Sequence, residues 1–239
     1  MFDVSNEKCT ITYSFLTMKR IYLLLLPVLF AVSCKKDDVL PLSETVTKGS
    51  KWNLRIGSLP ADVYSQLQQL GLEKNFADVA VVYRQPSLKP EEVQGRLSFY
   101  RAITLQKNSV YIERVLIQFR QDKVSSIQAG GAMLDSISKW PQDTPDEITI
   151  YNDDPVDNIY AKLVAIYKTP AYGNYQIILP DKSLEKPFDP DMANYDQWSF
   201  TFSIDVKPGR RGTSFVTLQF SSGKLNKIRH IYTEATFYN

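Results

Sequence analysis

Residues 97–128 read LSFYRAITLQKNSVYIERVLIQFRQDKVSSIQ, and residues 198–229 read WSFTFSIDVKPGRRGTSFVTLQFSSGKLNKIR. Laid over each other at a constant offset of 101, without a gap, they share eight identities in thirty-two positions. Ser98-Phe99 meets Ser199-Phe200, Ile103 meets Ile204, Val115 meets Val216, and Gln118-Phe119 meets Gln219-Phe220. Lys123 and Ile127 meet Lys224 and Ile228. Apolar character also matches at Leu97 and Trp198, Ile117 and Leu218, and Val124 and Leu225. Upstream, Pro60-Ala61-Asp62-Val63-Tyr64 is similar to Pro155-Val156-Asp157-Asn158-Ile159-Tyr160 after a small shift. The same order of elements on both sides of the offset is the sign of an internal duplication.

Working outward, each copy predicts a short alternating segment (Trp52, Leu54, Ile56; then Ile148, Ile150), a helix and a meander of strands. In copy one Val63, Tyr64, Leu67 and Leu70 recur at helical spacing behind Pro60, and Gly71 suits the helix end. In copy two Val156, Ile159, Tyr160, Leu163, Val164 and Tyr167 form the stripe, with Asp154 as N-cap and Pro170 as stop. Strands are predicted over 78–84, 96–106, 110–120 and 123–128, then over 175–179, 197–206, 213–220 and 224–232. Lys107-Asn108-Ser109, Gln121-Asp122, Pro208 to Gly212 and Ser222-Gly223 supply the turns. The expected fold class is therefore α+β: two tandem repeats, 51–140 and 141–239, each one helix packed on an antiparallel sheet of about four strands. Residues 129–146 link them, with a short helical turn expected over Met133 to Trp140.

This element order is similar to cystatin-like sheets and to the tandem modules of beta-lactamase-inhibitor-like and PepSY-like exported proteins. The resemblance is one of order alone, without a shared motif. It implies binding of proteins, inhibition or assembly work, and fold-level likeness does not carry function by itself.

The N-terminus reads as an address. Met18-Lys19-Arg20 precedes the apolar run Ile21 to Val32, followed by Ser33 and Cys34. A basic start, a short apolar run and a small residue at the cut make a signal peptide. Twelve apolar residues are too few for a spanning helix, which needs about 20. Ala31-Val32-Ser33-Cys34 resembles the lipobox of bacterial lipoproteins, though position 31 is more often Leu in that motif. The resemblance implies cleavage between Ser33 and Cys34, with diacylglycerol on the Cys34 sulfur. Asp3 and Glu7 do not suit a signal start, so translation is expected from Met18. Cys34-Lys35-Lys36-Asp37-Asp38 resembles the start of bacteroidete-type lipoproteins and implies an outer-membrane protein facing either the periplasm or the cell surface. Residues 1–33 are then a removed leader and 34–50 a lipidated tether, with Val39 to Leu42 apolar enough to dock in part.

Charge and composition narrow the chemistry. A formal net charge of +2 spread over 239 residues offers no basic stripe, so nucleic acid is not an expected partner. No phosphate-binding loop, dinucleotide fingerprint or CxxC pair occurs, so no nucleotide or cofactor is expected. The two cysteines, Cys9 and Cys34, leave no disulfide after processing, and with the lone His230 they leave few ligands for zinc or iron. His230 lies in a strand and reads as a sheet-surface histidine. Asp153-Asp154 with Asp157 read as helix-start acids. Asp189, Asp191, Asn194 and Asp196 could offer oxygens to calcium, but Ala193 and Asn194 break the EF-hand spacing and Pro187 and Pro190 favour a plain rigid loop. Glu91-Glu92, Asp181 and Glu185 are the loop carboxylates from which a glycosidase-type pair would have to come. Tyr172, Tyr175, Tyr195 and Trp198 cluster around the loops of copy two, with Tyr83, Phe99 and Tyr100 in copy one, and are candidate ligand-binding aromatics. The expected role is a lipid-anchored, non-enzymatic binding module for a protein or envelope polymer. The alternative is an exported hydrolase built on the loop carboxylates.

Overall fold

A computed structural model of the chain describes residues 41–107 and 109–236. Ser33, Cys34 and the signal segment lie outside the described residues. In chain order the elements are β1 (Leu42–Val46), the short pair β2 (Ser50–Lys51) and β3 (Leu54–Arg55), α1 (Pro60–Lys74) and β4 (Asp78–Val81). Then come β5 (Ala102–Lys107), β6 (Arg114–Arg120), β7 (Lys123–Gly130), β8 (Leu134–Ile137), β9 (Lys139–Trp140) and β10 (Ile150–Tyr151). α2 (Val156–Tyr167), β11 (Tyr175–Ile178), β12 (Lys182–Ser183), β13 (Gln197–Lys207), β14 (Arg210–Ser221) and β15 (Lys224–Thr236) complete the order.

The expected α+β pair of tandem repeats is overturned. Among the described residues strand outweighs helix, with two α-helices and two main antiparallel sheets. One sheet has six strands in the order β1-β15-β14-β13-β4-β12, and the other has five in the order β11-β5-β6-β7-β8. Both draw strands from both halves of the sequence. β4, from the first half, pairs with β13: Val81 faces Trp198, Ala80 faces Ser199, and the Val82 N–H donates to the Gln197 carbonyl at 2.9 Å. β11, from the second half, pairs with β5, with Tyr175 facing Lys107 and Ile178 facing Thr104. The helices cross over in the same sense. Val63, Tyr64, Leu67 and Leu70 of α1 share a core with Trp198, Phe200, Val216, Leu218, Leu225 and Ile228. Val156, Ile159, Leu163 and Ile166 of α2 share a second core with Ile103, Leu105, Val115, Ile117, Val124 and Ile127.

The physical reason is that apolar burial is non-directional, so two apolar helix stripes and two apolar sheet faces leave the pairing open. Directional backbone bonds decide it. Gly57 and Ser58, just before α1, exchange bonds with Leu225 of β15 at 2.7 and 2.9 Å. Asp153 and Asp154, just before α2, exchange bonds with Val124 of β7 at 2.8 Å each.

Local expectations need four further corrections. Gly71 does not end α1, which runs on to Lys74 and stops at Asn75 in the left-handed conformation. A Cβ on Gly71 would stand 2.7 Å from the Phe76 carbonyl oxygen and 2.8 Å from Leu184 Cδ1, so this glycine serves close packing. Asp154 does not cap α2, whose N-cap is Pro155; its carboxylate takes the Tyr151 N–H at 2.7 Å and the Lys162 ammonium at 2.6 Å. Leu97–Phe99 form a 3-10 turn where strand was expected. Met133 to Trp140 hold β8 and β9 where a helical turn was expected. Within the stretch expected as tether, residues 42–46 are the β1 edge strand, with Leu42 facing Tyr232 and Val46 facing Ile228.

Candidate functional site

The aromatics singled out in the sequence do not form a platform. Trp198 and Tyr175 are wholly buried, and they lie in different cores. The Trp198 indole N–H donates to the Met192 carbonyl at 3.1 Å, and the Tyr175 hydroxyl donates to Glu113. Tyr172 packs edge-on to Trp140 beside Tyr175 and donates to Asp143, while Tyr195 is half-buried against the other core. Tyr100 is buried and Phe99 half-buried; Tyr83 is exposed, in the left-handed conformation. His230 is half-buried on β15, with Nε2 3.0 Å from Ser214 Oγ and its ring edge-on to Trp52. Burial, with Lys51 nearby, holds its imidazole below the usual value. Its cross-strand neighbour Glu44 is bound by Lys51 at 2.5 Å.

Of the acidic residues proposed as oxygen donors, Asp189 is buried and serves a different purpose. Its carboxylate accepts from the Arg96 guanidinium at 3.0 and 3.2 Å, from the Tyr100 hydroxyl at 2.6 Å and from the Asp191 N–H at 3.1 Å. Arg96 also meets Asp191 at 2.6 Å, so the charges of this loop are answered by a guanidinium. Asp157 lies in the first turn of α2, and Asp196 and Asn194 are exposed. Among the described residues no group of acids, histidines or cysteines is arranged to hold a metal ion.

The network continues inward. Tyr100 accepts from Arg84 at 2.6 Å, and Arg84 also donates to the Leu179 carbonyl at 2.8 Å. Lys182 on β12 is 0% exposed; its ammonium donates to the Tyr64 hydroxyl and the Ser183 carbonyl, each at 2.9 Å, and lies over the Tyr64 ring. Burial pulls the Lys182 amine down to about 8 and pushes the Tyr64 and Tyr100 hydroxyls up. A perturbed amine between two phenols is a general-base arrangement in composition. With Lys182 wholly enclosed, however, no substrate atom reaches it. The network is a joint: Tyr64 belongs to one core and Tyr100 to the other.

The outer side of this joint is the candidate site. Asp181 and Glu185 flank the buried Lys182 in sequence and face solvent. Both line an open groove of about 830 Å³ together with Asp78, Arg101, Gln118 and Ser126. Arg101 meets Asp78 at 2.6 Å and Glu185 at 3.7 Å. Asp78 and Asp181 also wall a second depression, of about 690 Å³, along β13 beside Phe76. Structure therefore brings together Asp181 and Glu185 from the sequence candidates, and leaves Glu91 and Glu92 apart. Those two occupy the 3-10 turn Pro90–Val93, where Glu92 accepts the Leu88 N–H at 3.2 Å. Asp78 and Arg101 were missed. They stand on separate strands or loops without a motif, and only the crossed strand pairing makes them neighbours.

Chemically, the Arg101 guanidinium lies between Asp78 and Glu185, while Asp181 lines the same groove without an ion pair to it among the described residues. The arrangement leaves a polar wall of alternating charge that suits hydroxyl-rich or amide-rich ligands. Comparison with protein-family models, with curated proteins and with solved structures finds no match to this chain.

Proposed function

We propose that this chain is a lipid-anchored envelope protein, held through acyl chains on Cys34, whose folded part binds a protein or envelope polymer along the groove at the joint of its two sheets. The observation that carries the binding half is Arg101 set between Asp78 and Glu185 on the wall of an open polar groove. The anchor half rests on the basic start, the apolar run and Ala31-Val32-Ser33-Cys34. No helix of the described residues is long and apolar enough to cross a membrane. Two or more acyl chains give stable attachment where one is marginal. The location is the outer membrane, on its periplasmic or its outward face.

The test has two parts. Intact mass of the protein from its native membrane should show a chain starting at Cys34 with acyl mass, lost in Cys34→Ala. Incubation with purified envelope polysaccharides and envelope proteins should show retention without product release, weakened about tenfold in Arg101→Ala, because hydrogen bonds to charged groups contribute about 1.5–3 kcal/mol. Product release that vanishes in Asp181→Asn would put a hydrolase in place of the binding protein.

A further inference from the structure

The six-stranded sheet is longer than its core. On β13 the last buried residue is Phe202, and positions 203–209 are all exposed. Tyr232, Ser214 and Phe202 stand abreast of Leu42 across four strands, so Leu42 marks the rank where the core ends. Beyond it the β13–β14 hairpin projects, carrying Ile204 (47% exposed) and Val206 (45%), with Leu42 itself 64% exposed. Phe215 is half-exposed on the opposite face of the sheet, abreast of Ile231. Residues 203–213 hold three cations, Lys207, Arg210 and Arg211, and one carboxylate, Asp205. Arg210 answers Glu234 at 2.5 Å and Arg211 answers Asp205 at 3.2 Å.

The direction of the chain matters as much. β1 is antiparallel to β15, and β15 beyond Tyr232 runs towards Thr236, which faces Arg210 at the hairpin turn. The chain before Leu42 therefore enters the sheet from the end where this hairpin projects. From Leu42 to the turn is four residues of strand, about 14 Å at 3.4 Å per residue. From Cys34 to Leu42 is eight residues, a reach of at most about 29 Å. Eight residues of chain are long enough for Cys34 to be anchored in a surface that the turn also touches.

We infer that the projecting β13–β14 hairpin rests on the anchoring membrane, with Ile204 and Val206 in the interface and Lys207 among anionic headgroups. This rests on the lipid-anchor reading of Cys34. Apolar side chains beside a cationic turn are the combination that holds a segment at a lipid interface, and each cation near an anionic surface adds about fivefold to the docked population. Docking there would fix the orientation of the tethered protein and set its joint groove at a defined height above the lipid.

The test uses the full chain purified from its native envelope and placed in vesicles of phosphatidylethanolamine with phosphatidylglycerol. A nitroxide at Val206→Cys is compared with one at Asn226→Cys, exposed near the opposite end of the same sheet. On vesicles the label at 206 should lose access to a water-soluble nickel chelate severalfold and gain access to oxygen, while the label at 226 stays unchanged. Adding Lys207→Glu to the 206 variant should shift the docked ratio about fivefold or more towards the undocked state. An acylated, vesicle-bound chain whose 206 label keeps full nickel access overturns the docking and leaves the anchor standing. Spin–spin broadening at 206 that grows with protein density gives the surface to a second copy and overturns it as well. A chain without acyl mass removes the anchor reading and this inference together.

Discussion

The hairpins β6–β7 and β14–β15 are built alike and used differently. Each turns on two residues with positive φ, Gln121-Asp122 in one and Ser222-Gly223 in the other. Each shifts register at a Gln-Phe pair, Gln118-Phe119 and Gln219-Phe220. Yet the first hairpin is covered by α2, from later in the chain, and the second by α1, from much earlier. Local likeness set the hairpins, and remote backbone bonds set their partners. The lesson is that a hairpin can be read within its own thirty residues, whereas the helix that buries it cannot.

That comparison can be broken most forcefully in the cores. Leu67 and Leu163 are wholly buried, one under each helix, and truncation to Ala should cost each core about 2–5 kcal/mol. Hydrogen exchange locates the damage. Leu67→Ala should loosen β13–β15 before β5–β7, and Leu163→Ala should do the reverse; the opposite pattern would restore each helix to its own half of the sequence. A smaller loss, about 1–3 kcal/mol in denaturant midpoint analysis, is expected for Gly71→Ala. The backbone carbonyl of Phe76 cannot yield as a side-chain tip would, and this outweighs the helix-propensity gain of about 1 kcal/mol.

The joint between the cores has a pH signature. The Lys182 amine is held at about 8, below its usual 10.5. Between those values the unfolded chain binds a proton that the folded chain has lost, so stability should rise with pH from about 8. Tyr64 and Tyr100 are shifted up. Above about 10 the unfolded chain releases phenolic protons that the folded chain keeps, so stability should fall again. Urea titrations across this range should show a rise on the order of 2 kcal/mol, flattened in Lys182→Met. A profile unchanged by that substitution would mean the buried amine is not what senses pH. The smallest effect on stability is expected at the groove. Arg101→Ala removes an ion pair that is 44% exposed on the Arg side, worth about 0–1 kcal/mol, so thermal melting should barely move while ligand retention drops. A large melting shift would turn the groove residue into a structural one.

Much of the secondary structure was legible, because its causes are local. Alternation at period two marked β6, β7, β13, β14 and β15 within a few residues and β5 at its end, and the stripes Val63-Tyr64-Leu67-Leu70 and Val156-Ile159-Leu163 marked both helices. Where the ends of the helices slipped, contacts outside the apolar stripe were responsible, some near in sequence and some remote. Leu184 and the Phe76 backbone close on Gly71, and Lys162 takes the carboxylate of Asp154. The site was legible only in part. Asp181 and Glu185 stand out as loop acids, but Arg101, which joins Glu185 to Asp78, carries no signal until β4 pairs with β12, Val79 facing Lys182 and Asp78 facing Ser183.

What the sequence determined by itself, then, was both helices, the long strands, their turns and the apolar faces they offer, since backbone torsion and side-chain period act over a few residues; β1, β8, β9 and β12 were not among them. The tertiary structure alone decided which helix covers which sheet, that Trp198 and Tyr175 are core rather than surface, and where the joint groove opens. Apolar burial accepts either partner, and the backbone hydrogen bonds that break the tie join Val124 to Asp153 and Asp154 in one core and Leu225 to Gly57 and Ser58, far apart in the chain, in the other.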